Sequence, residues 1–172
     1  MAGREDKIKN EKIVVVDEDD NIVGVEVRSV VDEKGLRYRV SGLWLKNSLG
    51  EVLLARRAFT KMHYPGRWGP AVAGTVDEGE SYEDNIVKED REEIGLTGVD
   101  FEKGPKVKMS GKYNHFTQWF VVVVDEPVDF FKIRKKEVAE IRWFSIEELK
   151  EMIRDNPESV VKSLLELPKG LV

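Results

Sequence analysis

The sequence predicts a mixed α+β domain, and three observations indicate that fold class. Short apolar runs rich in Val, Ile, Trp and Phe recur along the chain between polar turns, as strands do. Helix-capping signals occur once near the middle of the chain and twice near its end. A chain of 172 residues suits one domain, residues 1–172, in which a sheet is packed against these few helices.

The first half of the chain is predicted to contain strands separated by turns. KIVVVD and IVGVEV flank the turn EDDN and begin an extension to the core at about residues 12–38. RVSGLWL and EVLLARRA form a second predicted hairpin around the turn Asn47–Gly50. The loop FTKMHYPGRWG, with a strong turn signal at Pro65–Gly66, and the short apolar piece PAVAG follow.

The second half is predicted to contain further strands and then two helices. One strand is expected near Val107, a long one in HFTQWFVVVV and a third in VAEIRWF. Ser145 and Glu148 form a capping box that opens the helix SIEELKEMIRD. Asn156, before Pro157, is predicted to cap a last helix, PESVVKSLLEL.

Composition excludes several classes of function. A charged fraction of 35% with 41% hydrophobic residues is typical of a soluble globular protein. The net charge of -5 argues against a nucleic-acid partner, and no apolar run approaches the ~20 residues of a membrane span. Absence of cysteine excludes disulfides, thiolate metal sites and cysteine nucleophiles. The cytoplasm is therefore the expected compartment, and the hydrophobic N-terminal strands are where a homodimer interface would form.

The most informative segment is the acidic stretch GTVDEGESYEDNIVKEDREEIGL, from Gly74 to Leu96, which holds nine carboxylates in twenty-three residues. Ser81 can cap a helix that runs to about Ile94 and stops at Gly95. At 100° per residue, the three carboxylates of Glu89, Glu92 and Glu93 share one arc of that helix. An apolar stripe overlaps the edge of this arc and continues from it, and it comprises Tyr82, Ile86, Val87 and Ile94.

The spacing of these glutamates points to a cation. Like charges at i, i+3 and i+4 repel one another, and the C-terminal half of a helix disfavours anions. Both costs would be removed by a resident divalent cation, and oxygen ligands without His or Cys suit Mg²⁺ or Mn²⁺. The alternative is a solvated acidic face, which is what most charge runs are.

The whole pattern resembles the Nudix signature G-x5-E-x7-R-E-U-x-E-E-x-G-U, where U is a bulky aliphatic residue. The segment reads Gly74, five residues, Glu80, seven residues and KEDREEIGL, so each Gly and Glu of the signature is present. Two positions depart from it, because Lys88 replaces Arg and Asp90 replaces the aliphatic residue. A lysine offers a point donor instead of a two-pronged fork, so less precise positioning of Glu89 is expected. Asp90 lies within the apolar stripe, so either it has a buried partner, which we favour, or it reaches the metal cluster, or the helix is rotated or locally altered there.

The flanking segments are similar to the Nudix branch of isopentenyl-diphosphate isomerases and isomerase-like hydrolases. They are GEVLLARRAFTK, YPGRWGPAVAGTVDEGESYED and EVAEIRWFSIEEL. Ala73 and Thr75 stand near where the isomerases carry a catalytic cysteine and a metal-binding histidine, so isomerase activity is not expected. The resemblance implies an α/β/α sandwich with a mixed central sheet, a catalytic loop–helix–loop and C-terminal helices. It also implies hydrolysis of a diphosphate bond in a nucleoside diphosphate derivative or related small-molecule organic diphosphate. The alternative is a catalytically weak Nudix domain that binds such a ligand or a partner.

The resemblance also implies residue roles. Four groups would hold Mg²⁺, or alternatively Mn²⁺: the Gly74 carbonyl and the carboxylates of Glu89, Glu92 and Glu93. The general base would be a signature glutamate or one on a later loop, where Glu137 is favoured over Glu140, although both could be solvent-facing acids.

Other residues are expected to support this site. Glu80 would fix the loop by hydrogen bonding, Lys88 would hold a carboxylate, and Gly95 would end the helix. Arg56 and Arg57 end a strand, so one of them should face the site and bind phosphate, with surface salt bridging as the alternative.

Overall fold

The computed structural model describes residues 10–172, so residues 1–9 of the predicted domain lie outside the described part. The described residues form nine strands: β1 Lys12–Val16, β2 Ile22–Val27, β3 Tyr38–Lys46, β4 Val52–Arg57, β5 Trp68–Pro70, β6 Val72–Thr75, β7 Glu102–Met109, β8 His115–Val123 and β9 Val138–Phe144. They also form four α-helices: α1 Arg28–Lys34, α2 Tyr82–Glu93, α3 Ile146–Asp155 and α4 Lys162–Leu165. Short 3₁₀ turns occupy Val128–Phe130 and Pro157–Ser159. The longest of these helices has 12 residues, which is too short to cross a membrane.

All the described strands join one mixed sheet with β3 at its centre. β8 runs parallel to β3 over the full length of both strands, from the pair Tyr38 and His115 to the pair Lys46 and Val123. β6 is antiparallel to β3, and β1 continues the sheet to β2. β7 pairs with β8, while β4 pairs with both β5 and β9. The parallel pair embedded among antiparallel pairs makes the sheet mixed, as predicted.

The sheet is packed against helices on both faces. Alternation along β3 sends Leu43 and Leu45 to one face and Trp44 to the other. The first face packs against α2, which contributes Ile86, and the second packs against α3, which contributes Leu149. Helices on both faces of a mixed sheet confirm the predicted α/β/α sandwich.

The predicted second hairpin needs correction. Asn47–Gly50 does form the turn between β3 and β4, but these strands share only the register pair Lys46 and Val52 before they diverge. Helix α1, which follows β2 directly, was not predicted from the sequence. Its N-cap residue, Val27, makes no side-chain capping hydrogen bond, so the usual start signal is absent. Gly35 ends α1 in the left-handed conformation.

The predicted last helix, 157–167, is wrong. Asn156 makes no side-chain cap, and the chain forms a 3₁₀ turn and then only the four-residue α4. The segment between them is extended because Val161 N donates to the Trp68 carbonyl at 2.8 Å and Val160 bridges Trp68 in parallel. Pairing with β5 and burial of both valines therefore replace the predicted helical turn.

Candidate active site

The acidic helix α2 begins and ends where the sequence predicts. The Ser81 hydroxyl accepts a hydrogen bond from Asp84 N at 3.0 Å, and the Asp84 carboxylate accepts one from Ser81 N at 3.0 Å. Gly95 follows the helix with φ +71°, a conformation that favours glycine. The predicted apolar stripe is buried at Ile86, but Val87 is 57% exposed, so its assignment to the stripe is wrong.

Gly74 and Glu89 are packed directly against each other. Gly74 lies on β6, opposite Ser41 of β3, and a Cβ added to it would lie 2.7 Å from Glu89 Cδ and closer still to Cγ. It would also lie 3.0 Å from Asn85 Oδ1. Only glycine leaves room here for the Glu89 side chain, which brings that carboxyl group beside the main chain of β6.

Two of the three helix glutamates are desolvated. The Glu89 side chain is 19% exposed, and burial, with the charges of Glu92 and Asp77, raises its pKa to about 7. Burial and the charge of Glu89 raise the pKa of Glu93 to about 8. Glu92 is 44% exposed, and one of its carboxylate oxygens lies 3.5 Å from Arg134 Nη1. The structure therefore brings Glu89 and Glu93 together, while Glu92 lies at the surface.

Arg57 lies near these carboxylates and Arg56 does not. Burial lowers the pKa of the Arg57 guanidinium, while the charges of Glu93 and Glu137 oppose that shift. Arg57 Nε donates to the His63 carbonyl at 2.9 Å, which fixes the side chain. Arg56, on the opposite face of β4, stands across from Glu140 on β9 at 3.8 Å.

The two later-loop carboxylates occupy different surroundings. Glu137 is 25% exposed and forms an ion pair with Lys61. Burial alone would raise the pKa of Glu137, but the hydrogen bond and charge of Lys61 lower it. Glu140 is 50% exposed on the outer face of β9. The charge of Glu137, and not that of Glu140, therefore acts on Arg57 and Glu93.

Glu80 ties the loop before α2 to the helix. Lys88 Nζ donates to Glu80 Oε1 at 2.6 Å and to Asp77 Oδ2 at 2.8 Å. Asn85 Nδ2 and Asp77 N donate to Glu80 Oε2 at 3.0 and 3.2 Å. Lys88 Nζ also lies 3.5 Å from Glu89 Oε1, so the ammonium joins the loop to the helix carboxylates.

Asp90 has no partner in the described part of the chain. It is 2% exposed, and its Oδ1 is buried without a hydrogen bond. Burial raises its pKa to about 7. The position within the apolar stripe was predicted correctly, but the expected buried partner is wrong.

A cluster missed by the sequence analysis lies beside β6. Arg28 of α1 donates to Thr75 Oγ1 at 2.6 Å, and its second terminal nitrogen lies 3.0 Å from His63 Nδ1. His63 Nε2 lies 2.9 Å from Asp32 Oδ2, and the Tyr113 ring stacks on His63 at 3.9 Å. Arg28 and Asp32 share α1 at i and i+4, but Thr75, His63 and Tyr113 come from other parts of the chain, so no sequence spacing connects the whole cluster.

Comparison with known proteins identifies the family. The NUDIX domain family model matches residues 35–164. The chain belongs to the Nudix family of hydrolases. A Pseudomonas aeruginosa Nudix hydrolase is 32% identical over 150 residues, which is 86% of each chain. A Streptomyces coelicolor Nudix hydrolase is 37% identical over 90 residues, which is 52% of this chain and only 50% of that protein.

Two further relatives cover most of this Nudix chain. A Methanosarcina mazei protein named prenyl-diphosphate phosphatase is 30% identical over 153 residues, 88% of this chain and 89% of that protein. The crystal structure of DR0079 from Deinococcus radiodurans has a TM-score of 0.76 at 26% identity, covering 91% of this chain and 96% of that one. The Nudix fold is therefore shared over nearly the whole length.

The donor set of the Nudix helix fits a hard cation. In residues 10–172, no three Asp, Glu, His or Cys side chains already converge as a metal cage. Asn85 Oδ1 is nevertheless buried without a donor, beside the Gly74–Glu89 contact. The buried Asn85 oxygen lacks a donor, and Lys88 is the charge partner of the neighbouring Glu89 carboxylate at 3.5 Å; a divalent cation or its bound water would satisfy both oxygens.

Proposed function

We propose that this Nudix hydrolase uses Mg²⁺ to cleave a diphosphate bond in a small organic diphosphate. The observation that carries the proposal is the contact between Glu89 and Gly74, with Glu93 desolvated nearby. Carboxylates held together away from water are costly unless a cation compensates them. A hard divalent cation is the partner that oxygen donors select.

The groups that would hold the cation are the Gly74 carbonyl and the carboxylates of Glu89, Glu92 and Glu93. Glu92 would turn from Arg134 to join them, because its surface contact at 3.5 Å is weak and exposed. Nudix hydrolases generally use divalent cations, and Mn²⁺ is expected to replace Mg²⁺ in this site. When bound, the cation would neutralise the diphosphate oxygens and activate water.

Arg57 and Lys61 are the proposed phosphate-binding side chains. Arg57 is fixed by the His63 carbonyl and lies near Glu93, while Lys61 is paired with Glu137. An incoming phosphate would compete with Glu137 for the Lys61 ammonium, because both are anionic acceptors. Arg56 is not proposed for this role, because it lies on the other face of β4, near Glu140.

Glu137, released from Lys61 by the substrate, is the proposed general base. Its carboxylate would take a proton from the attacking water as the new phosphorus–oxygen bond forms and the anhydride bond breaks. The leaving phosphate would depart as an anion. Glu93 is the alternative general base from within the signature. The positive charges of Lys61 and Arg57 act on its carboxyl group as they do on Glu137.

The organic part of the substrate is proposed to lie beside Arg28 and His63, which the N-terminal extension and the loop before β5 bring to Thr75. In this reading, residues 1–172 act as one Nudix domain in which the extension completes the site. Similarity to the Methanosarcina prenyl-diphosphate phosphatase supports testing prenyl diphosphates next to nucleoside diphosphate derivatives.

The experiment is a hydrolysis panel containing both substrate classes. Purified protein is incubated with each compound and Mg²⁺, and ³¹P NMR identifies the phosphate products. We expect turnover of at least one class with Mg²⁺ and none after addition of a chelator. Absence of turnover throughout, together with ligand-dependent shifts in melting temperature, would refute the hydrolase and favour a binding module.

A crystal soaked in Mn²⁺ tests the metal site separately. We expect an anomalous peak bordered by Glu89, Glu92 and Glu93. If the peak is absent there, or lies elsewhere, the proposed ligand set is wrong regardless of the hydrolysis result.

A further inference from the structure

The two carboxylate oxygens of Glu80 are held by side chains from two different positions of α2. Lys88 Nζ donates to Oε1 at 2.6 Å, whereas Asn85 Nδ2 donates to Oε2 at 3.0 Å. In the Nudix signature an arginine stands at the position of Lys88. A guanidinium can hold both oxygens of one carboxylate at once, and an ammonium cannot.

The orientation of the Asn85 amide follows from its neighbours. Nδ2 faces two acceptors, Glu80 Oε2 and the Thr75 carbonyl at 2.9 Å, so the nitrogen must be on that side. Asn85 is fully buried. Burial of an amide within a helix is unfavourable unless hydrogen bonds compensate for it. The two hydrogen bonds donated by Nδ2 are the contacts that compensate for burial of Asn85.

Asn85 also links the helix to the strand that carries Gly74. Its Nδ2 holds the carbonyl of Thr75, the residue after Gly74, and its Oδ1 lies near the position that a Gly74 Cβ would take. Glu89 is one helical turn further along the same face and packs on Gly74. Loss of the Asn85 contacts would therefore loosen the loop and the strand against which Glu89 is positioned.

We propose that Asn85 and Lys88 act as one unit that replaces the signature arginine, and that Asn85 is a positioning residue for Glu89. The pair reproduces a two-pronged grip on Glu80 with an amide and an ammonium. This inference rests on the proposed function, because the carboxylate that it positions is a proposed metal ligand.

A double-mutant cycle tests the pair. Wild type, Asn85→Ala, Lys88→Arg and the double variant are compared for Mn²⁺ affinity by calorimetry, well below their melting temperatures. We expect Asn85→Ala alone to weaken Mn²⁺ binding by about tenfold, because hydrogen bonds to charged groups are the strong ones. Adding Lys88→Arg should restore the affinity to within about threefold of wild type, because the guanidinium then holds both oxygens of Glu80.

Val87→Ala is the matched control, because Val87 is on the same helix but 57% exposed to solvent. It should leave Mn²⁺ affinity unchanged. The proposal would be overturned if Asn85→Ala weakened Mn²⁺ binding equally with lysine and with arginine at position 88. It would also be overturned if Asn85→Ala weakened Mn²⁺ binding in neither background. A merely structural role would lower the melting temperature without changing Mn²⁺ affinity, which would also overturn it.

The same four proteins separate this inference from the proposed function. If wild type neither binds Mn²⁺ nor hydrolyses any diphosphate, the proposed function fails. Urea unfolding in chelator then decides whether positions 85 and 88 are coupled through Glu80. Additive effects on unfolding would overturn the pairing, and rescue of Asn85→Ala by Lys88→Arg would sustain it.

Discussion

Replacing Asp90 with asparagine is predicted to stabilise the protein at neutral and alkaline pH. Asp90 is 2% exposed, and its Oδ1 accepts no hydrogen bond in the described part of the chain. An ionised carboxylate in such a place has lost its hydration without gaining a partner. Asparagine keeps nearly the same shape but has no charge to desolvate.

The expected gain in stability from Asp90→Asn follows from the pKa of Asp90. Burial raises it from 3.8 to about 7, and each pKa unit corresponds to about 1.4 kcal/mol of free energy of unfolding. The upper limit is therefore about 4 kcal/mol, and relaxation of the surroundings reduces the expected gain to about 2–4 kcal/mol. Because about 2–4 °C accompanies each kcal/mol in a chain of this size, the melting temperature should rise by about 5–15 °C.

The direction of the pKa shift of Asp90 fixes how the free energy of unfolding changes with pH. Because the folded pKa lies above the unfolded value, the folded state binds the proton more tightly. The stabilisation that the Asp90 proton contributes is fully present below about pH 4 and is lost as the pH rises to about 7. Wild type and Asp90→Asn should therefore be nearly equally stable near pH 4, and their difference should reach its maximum above about pH 7.

The assay is urea unfolding followed by tryptophan fluorescence at a series of pH values, in chelator so that bound metal does not contribute. Asp100→Asn is the matched control, since Asp100 is an exposed aspartate that follows the same helix in sequence, and its replacement should change stability little. If Asp90→Asn is less stable than wild type at about pH 8, the carboxylate has a favourable partner and the burial argument is refuted.

Three further predictions concern the site itself. Glu93→Gln should lower kcat by about 100-fold or more with an unchanged circular dichroism spectrum, and a wild-type rate would contradict the metal assignment. Arg57→Met should raise KM by about tenfold or more, because a charged phosphate contact is lost, whereas equal effects from the control Arg56→Met would contradict the assignment of faces. Gly74→Ala should weaken Mn²⁺ binding by about tenfold in calorimetry because its Cβ would collide with the neighbouring glutamate, while Gly24→Ala, which has open space around it, should not. Retained affinity in Gly74→Ala would show that the strand is not part of the metal site.

Local signals were sufficient for most of the fold. The apolar runs RVSGLWL and VAEIRWF predicted strands, and the capping residues Ser81 and Ser145 marked helix starts, all of which the structure confirms. These signals act within a few residues, so one sequence contains them completely. Helix α1 has no such capping residue, and it was missed.

Long-range contacts explain what the sequence could not predict. Val160 and Val161 look helical from the capping signal at Asn156, but Trp68, far away in sequence, pairs with them as a strand. The cluster of Arg28 and His63 at Thr75 likewise exists only because the sheet brings α1, a loop and β6 together. Periodicity and spacing contain no information about such contacts, so the carboxylates of the helix were predicted while the cluster of Arg28 and His63 was not.

The departure at Lys88 shows why a motif position is not interpretable alone. Loss of the signature arginine predicts a carboxylate held by one prong, yet both oxygens of Glu80 accept hydrogen bonds in the structure. The second side-chain donor is Asn85, which shares Oε2 with the main-chain N–H of Asp77 and stands at a position where the signature places no constraint. What the fold requires is two donors converging on Glu80, and either one guanidinium or two separate side chains can meet that requirement. A lysine in the signature should therefore be tolerated where a second donor faces the glutamate, and should weaken the site where an alanine stands in its place.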